Sequence, residues 1–197
     1  MSFRAAPSDD YYANEGKALL ERVNLDLASG KPARYANFNP IWRDPETGGV
    51  VCVGNATAAS NKAILDEMGG CRSIVFCQDG DGKKHFESDP SFNYLDFPIG
   101  RWRRFVAREP AAVALFFAPL FEFLEGEMAE GKTVLIHCLA GAHRAGTAGV
   151  ATLMHFTNMN AKEATAAAKK LRPAINPIGD FPALLDLLEA GMPPRAT

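Results

Sequence analysis

Cys138 and Arg144 stand six positions apart, separated by Leu139, Ala140, Gly141, Ala142 and His143. A thiol, a run of mostly small residues and a guanidinium in that order suit the holding of a phosphoryl group over a sulfur nucleophile. Small residues let successive backbone N–H groups turn inward as an anion nest. Arg144 offers a planar fork that grips two oxygens at once, a geometry Lys lacks. Gly141 fits a turn that needs positive φ or room for a ligand. Cys138 is then the nucleophile: it attacks phosphorus and carries the phosphoryl group as a phosphocysteine, dividing the reaction into two steps. Arg144 and the N–H groups of Leu139, Ala140, Gly141, Ala142, His143 and Arg144 are the phosphate-binding set. No metal or cofactor is expected, because thiolate, guanidinium and backbone donors already supply the charge stabilisation.

The flanking segments are suited to positioning these groups. Thr133–Ile136 is a short apolar run that reads as a buried strand. From Arg144 onward, Ala145 to Met154 is small and apolar and reads as a closely packed helix, whose first turn adds unsatisfied N–H groups and the positive end of its dipole. The Cys–Arg spacing alone is weak, and a buried structural Cys with an incidental Arg is the rival reading. The strand before it, the helix after it, and His137 and Gly141 speak against that rival.

The rest of the chain alternates strands and helices. Val50–Val53, Ser73–Cys77 and Tyr94–Ile99 read as strands; 61–68, 111–129, 144–155, 161–171 and 181–190 read as helices, with Pro110 opening the second. Gly100–Glu109 reads as a charged loop. This pattern predicts a single α/β domain with a central, mainly parallel sheet flanked by helices. The loop after Ile136 then leaves the carboxyl end of its strand, where such sheets bind ligands. Upstream, Met1–Asp10 is expected to be loose, 14–28 helical, and Lys31–Gly49, with three prolines and two adjacent glycines, an ordered loop.

His137-Cys138-Leu139-Ala140-Gly141-Ala142-His143-Arg144 resembles the His-Cys-x-x-Gly-x-x-Arg signature of protein tyrosine phosphatases, above all the small dual-specificity branch. Val51–Ala58 resembles that branch's opening strand and turn. Arg172-Pro173-Ala174-Ile175-Asn176-Pro177, followed by Phe181 and Leu184, resembles its closing segment. The resemblance covers Val50 to Glu189 and implies a catalytic domain of this type over 50–197; residues 1–49 lie outside it and read as an N-terminal extension packed on the domain or as part of the substrate rim. It also implies that His137 braces the loop through a ring hydrogen bond. In relatives of the tensin type, a Cys at the end of the strand matching Ser73–Cys77 forms a disulfide with the catalytic Cys under oxidation. Cys77 occupies that place here; a small buried core residue is its other reading.

Two departures from the family stand out. The branch carries a general-acid Asp within two residues of the strand that Tyr94–Ile99 resembles, and here that position is Arg101. Asp96 or Glu109 is the displaced acid, or the acid is absent. The branch also has Ser or Thr directly after the signature Arg, bonding the Cys sulfur, and here that position is Ala145. Low activity is therefore expected. Arg101, Arg103, Arg104 and Arg108 form either a solvated loop or an extended anionic site, and Trp102 either stacks on a planar group or buries itself. Inside the loop only His143 is a potential base; the paired lysines of phosphoinositide-directed relatives are missing.

With 197 residues, 47% hydrophobic residues and a net charge of −2, nothing points to a nucleic-acid partner. The longest apolar stretch, Ala111–Leu124, is broken by Pro119 and Glu122, so no membrane span is expected. No apolar segment follows Arg4, and Ser2 stands where N-myristoylation needs glycine, so neither a secretory signal nor that anchor is expected. Four cysteines without metal-type spacing fit a reducing compartment, the cytoplasm.

The sequence thus predicts a cysteine-dependent phosphatase acting on a phosphorylated protein or small phosphomonoester. The alternative is a weak or inactive phosphate-binding pseudophosphatase module. A sulfurtransferase or arsenate reductase fits less well, because both flanking segments resemble the phosphatase branch.

Overall fold

Alternation along the strands builds two hydrophobic layers. The computed structural model describes residues 10–28, 35–80 and 82–192. Its five strands are β1 (Phe38–Arg43), β2 (Val50–Gly54), β3 (Ser73–Phe76), β4 (Asn93–Asp96) and β5 (Thr133–His137), in the order β1-β2-β5-β3-β4. β1 is antiparallel to β2 and the other pairings are parallel. Val51, Val53, Val75, Val134 and Ile136 share one core with the large helices, while Val50, Cys52, Ile74 and Leu135 share another. This is the period-two pattern of a sheet covered on both faces.

The helices are α1 (Tyr11–Ala28), α2 (Ala56–Ser60), α3 (Lys62–Glu67), α4 (Pro110–Ala129), α5 (Arg144–Thr157), α6 (Ala161–Leu171) and α7 (Phe181–Gly191). α2 and α3 contribute Ala58, Ala59 and Leu65 to the smaller core, and α4, α5 and α7 fill the larger one. α5 lies tight on the sheet, since a Cβ at Gly149 would come within 2.7 Å of Val53 Cγ2 and 3.1 Å of Ile41 Cδ1. The single α/β fold with a mainly parallel sheet follows the sequence pattern.

Three expectations need correction. The boundary at residue 50 cuts the sheet: β1 lies within the segment 1–49, so that segment is not merely an extension laid on the domain. Pro40 belongs in this strand because β1 is an edge, where a missing N–H is tolerated; the part of the expected loop at 31–34 lies outside the described residues. The charged loop after β4 begins with a 3₁₀ turn over Ile99–Arg104, with Trp102 fully buried in the core. Finally, the helix read at 61–68 is preceded by α2, with Asn55 and Asn61 capping α2 and α3 in turn. Of the expected loose terminus, residues 1–9 lie outside the described residues.

Candidate active site

β5 occupies the middle of the sheet and delivers Cys138 just past its carboxyl end; α5 starts at Arg144. Between them the chain turns through Gly141 at φ +63°, a conformation open chiefly to glycine. A Cβ there would overlap the Gly54 carbonyl oxygen and lie 2.9 Å from Arg172 Nη2. Cys138 is buried, and Arg144 is 2% exposed.

The loop's carbonyls are tied to the surrounding framework. Ala56 N–H donates to Leu139 O at 3.0 Å, and Asn176 N–H donates to Ala142 O at 2.9 Å. Arg172 donates from Nη2 to Ala140 O at 3.4 Å and from Nε to Gly141 O at 2.9 Å. In a trans peptide the C=O and N–H point opposite ways, so the N–H groups of Ala140, Gly141, Ala142 and His143 face away from these donors. That is the form of an anion nest. The structure thus brings together the nucleophile, guanidinium and loop residues expected from the sequence.

Arg172 is the clamp that sequence spacing missed. Besides the two loop carbonyls, its Nη1 donates to Ala36 O at 3.0 Å and to Asn39 Oδ1 at 2.8 Å. Its guanidinium, 1% exposed, therefore joins the loop to the segment leading into β1 and to β1 itself.

The histidines play structural parts. His143 Nδ1 lies 2.8 Å from Asn176 O, and burial lowers its pKa, favouring the neutral ring. It is not an added cation. His137 packs edge-on against Phe76, and its Nδ1 has no hydrogen-bond partner among the described residues, while the ring hydrogen-bonds the Cys138 backbone, a brace at the start of the loop.

Burial pushes the His137 pKa from 6.5 down to about 3. Between those values the unfolded chain binds a proton that the folded chain refuses, so stability falls as pH drops below 6.5. His137 alone should remove about 2 kcal/mol between pH 7 and pH 5. Urea unfolding at both pH values should show His137→Gln losing less than wild type by about that amount. Equal losses would overturn this assignment.

Neither expected acid is well placed. The Asp96 carboxylate, 63% exposed, pairs with Lys84 at 3.0 Å. Glu109 is exposed and occupies the position before α4. Instead, Asp79, on the loop after β3, brings Oδ2 to 3.7 Å from Arg144 Nη1 and Oδ1 to 4.0 Å from Arg101 Nε; its side chain is 6% exposed. Arg103 pairs with Asp180, which also accepts the Tyr12 hydroxyl from α1. Trp102 is fully buried, so it is a core residue.

The family profile described as "Dual specificity phosphatase, catalytic domain" matches residues 52–189. The chain belongs to the dual specificity phosphatase family. It is 32% identical over 140 residues to dual specificity protein phosphatase 1 of Arabidopsis thaliana, covering 71% of this chain and 66% of that protein. Over 129 residues it is 26% identical to dual specificity protein phosphatase Mpk3 of Drosophila melanogaster, covering 66% of this chain but 29% of that protein. The chain therefore spans less than a third of that longer relative. In fold it resembles human DUSP28, with a TM-score of 0.60 at 20% identity, covering 79% of this chain and 94% of that one. It also resembles a human tyrosine phosphatase-like serine/threonine/tyrosine-interacting protein, with a TM-score of 0.55 at 25% identity, covering 71% and 91%.

In this dual specificity phosphatase domain, Ala145 is fully buried and offers no hydroxyl. Thr147, two residues on, donates its hydroxyl to His143 O at 2.7 Å, closing the first turn of α5. Among the described residues no helix is long and apolar enough to cross a membrane.

Proposed function

We propose that the chain hydrolyses phosphomonoesters by the protein tyrosine phosphatase route, through a phosphocysteine on Cys138. The observation that carries this reading is the buried Arg144 at the start of α5, next to a loop whose carbonyls from Leu139 to Ala142 are held by donors of the surrounding framework. Arg144 and the N–H groups of Leu139 to Arg144 hold the phosphate oxygens. Cys138 Sγ bonds to phosphorus as the ester P–O bond breaks. Water then attacks phosphorus and the P–S bond breaks, releasing phosphate. Substrates are phosphoproteins or small phosphomonoesters, and the free, buried cysteines suit a reducing compartment such as the cytoplasm.

Turnover of an aryl phosphate by the purified chain, inhibited by inorganic phosphate, tests this reading. Phosphate binding without turnover of any aryl phosphate would favour the pseudophosphatase module instead, which Arg101 and Ala145 at the family's acid and hydroxyl positions also suit.

Ala145 makes breakdown of the phosphocysteine the slow step, because no hydroxyl stabilises the departing thiolate. Ala145→Ser should raise the steady-state rate and shrink a pre-steady-state burst. An unchanged rate, with no burst in wild type, would show that another step limits.

Cys77 is a candidate redox partner. Its N–H donates to His137 O at 2.9 Å, and neighbouring strands lie about 4.8 Å apart, within the Cα range of a disulfide. Peroxide would oxidise Cys138 to a sulfenic acid; Cys77 would attack that sulfur, releasing water and forming the disulfide, which a thiol reductant reopens. Burial pushes the Cys77 thiol well above its ordinary pKa, which slows this closure. After peroxide and then reductant, peptide mapping should show a Cys77–Cys138 link before reduction, and Cys77→Ser should recover less activity. Equal recovery with no cross-linked peptide would leave Cys77 as core.

A further inference from the structure

We propose that Asp79 is the general acid and base of this phosphatase, acting from the loop after β3 in place of the residue that Arg101 displaces. The inference rests on the phosphatase reading above. Cys77 lies beside the end of β5, so the loop that continues from it borders the signature loop at the carboxyl edge of the sheet. Two residues on, the Asp79 carboxyl is withdrawn from solvent and set against the guanidinium assigned to the phosphate, with Oδ2 3.7 Å from Arg144 Nη1. Oxygens of a phosphoryl group gripped by that guanidinium sit about 2.7–2.9 Å from its nitrogens, so the carboxyl and the ester oxygens share one small space. Catalytic hydrogen bonds are often longer before substrate binds.

The backbone around the carboxyl is shaped to receive it. A Cβ at Gly100 would overlap Asp79 Oδ2 and lie 3.1 Å from Arg144 Cδ. The 3₁₀ turn that carries Arg101 therefore passes so close to Asp79 that a side chain at position 100 would have to displace the carboxyl. Arg101 itself turns its Nε toward Asp79 Oδ1 at 4.0 Å, so the residue at the family's acid position faces the carboxyl that replaces it. Asp96 is drawn to Lys84 and exposed, and Glu109 lies exposed before α4.

In the first step, the Asp79 carboxylic acid gives its proton to the leaving oxygen as Cys138 Sγ bonds phosphorus and the P–O ester bond breaks. In the second, the Asp79 carboxylate takes a proton from the attacking water as the new P–O bond forms and the P–S bond breaks. Thiolate and acid are both restored, and phosphate leaves.

The test is the leaving-group dependence of kcat/KM across aryl phosphates from dinitrophenyl to unsubstituted phenyl, with inorganic phosphate as competitor. Asp79→Asn should lose about 10²–10³-fold on phenyl phosphate and less than about tenfold on dinitrophenyl phosphate, with inhibition by phosphate unchanged. Gly100→Ala, which displaces the carboxyl without removing it, should show the same selective loss, and Asp96→Asn should match wild type. A uniform loss over all leaving groups in Asp79→Asn, with weaker phosphate inhibition, would make Asp79 a positioning residue for Arg144 and overturn the proposal. So would an unchanged profile. Should Asp79→Asn fail to fold, the Gly100→Ala profile decides by the same criterion. Failure of wild type to turn over even dinitrophenyl phosphate would instead overturn the phosphatase reading itself.

Discussion

Cys138→Ser is expected to lower aryl phosphate turnover by on the order of 10⁴-fold or more, while the protein still binds inorganic phosphate. The serine hydroxyl is a far weaker nucleophile at neutral pH, and the proposed Asp79, which acts as the acid in the first step, does not activate it. The loop proposed to bind the oxyanion does not depend on the sulfur. Its carbonyls are fixed by Ala56, Arg172 and Asn176, and Arg144 remains at the start of α5. Binding measured by isothermal titration and turnover measured by product release should therefore separate. Retention of a substantial fraction of wild-type turnover in Cys138→Ser would mean that another group attacks phosphorus.

Arg172→Met should cost both stability and rate. The methionine fills similar space but leaves Ala140 O, Gly141 O, Ala36 O and Asn39 Oδ1 without the donor they have now. The two loop carbonyls are buried, and each such acceptor left unsatisfied costs about 1–3 kcal/mol, so a loss of at least about 2 kcal/mol is expected from urea unfolding. Freed from its clamp, the loop shifts its N–H groups, and a displacement near 1 Å lowers kcat/KM by about 10². Arg172→Lys should not restore either quantity, because a single ammonium cannot span acceptors that the guanidinium reaches from both sides. A stable, fully active Arg172→Met protein would remove Arg172 from the account of the site.

What the sequence disclosed depended on how far apart the interacting residues lie. The strand, loop and helix around Cys138 are continuous in the chain, so residue type and spacing are enough to single out Cys138, Arg144 and the loop between them as candidates. Asp79 gave no comparable signal, and Arg172 stood in a family-like segment without its contacts being legible. Asp79 meets Arg144 only because β3 and β5 are neighbours in the sheet, and Arg172 reaches back to Ala36 and Asn39 through the tertiary fold. The carboxylates flanking Arg101 along the chain are Asp96 and Glu109, whereas the buried one comes from a different crossover.

The same reasoning explains β1. Pro40, Pro45 and the Gly48-Gly49 pair mark a loop by composition, yet Ile41 is buried and Phe38 and Trp42 pack against the two cores, which an edge strand allows. Trp102 was hidden among arginines in sequence, but a 3₁₀ turn points it inward while Arg103 turns to Asp180. α1 also meets the site, since a Cβ at Gly16 would touch Ala140 and Leu139 at 3.6 Å. No helical periodicity reveals which surface an amphipathic helix will cover.

The central claim is that phosphate passes through Cys138. Wild-type protein mixed with excess aryl phosphate, quenched in acid within the first turnovers and weighed intact, should carry one added phosphoryl group. Peptide mapping should place it on the segment holding Cys138, and Cys138→Ser treated in the same way should carry none. Turnover with no phosphoryl adduct at any quench time, or with the adduct on another residue, would contradict the account.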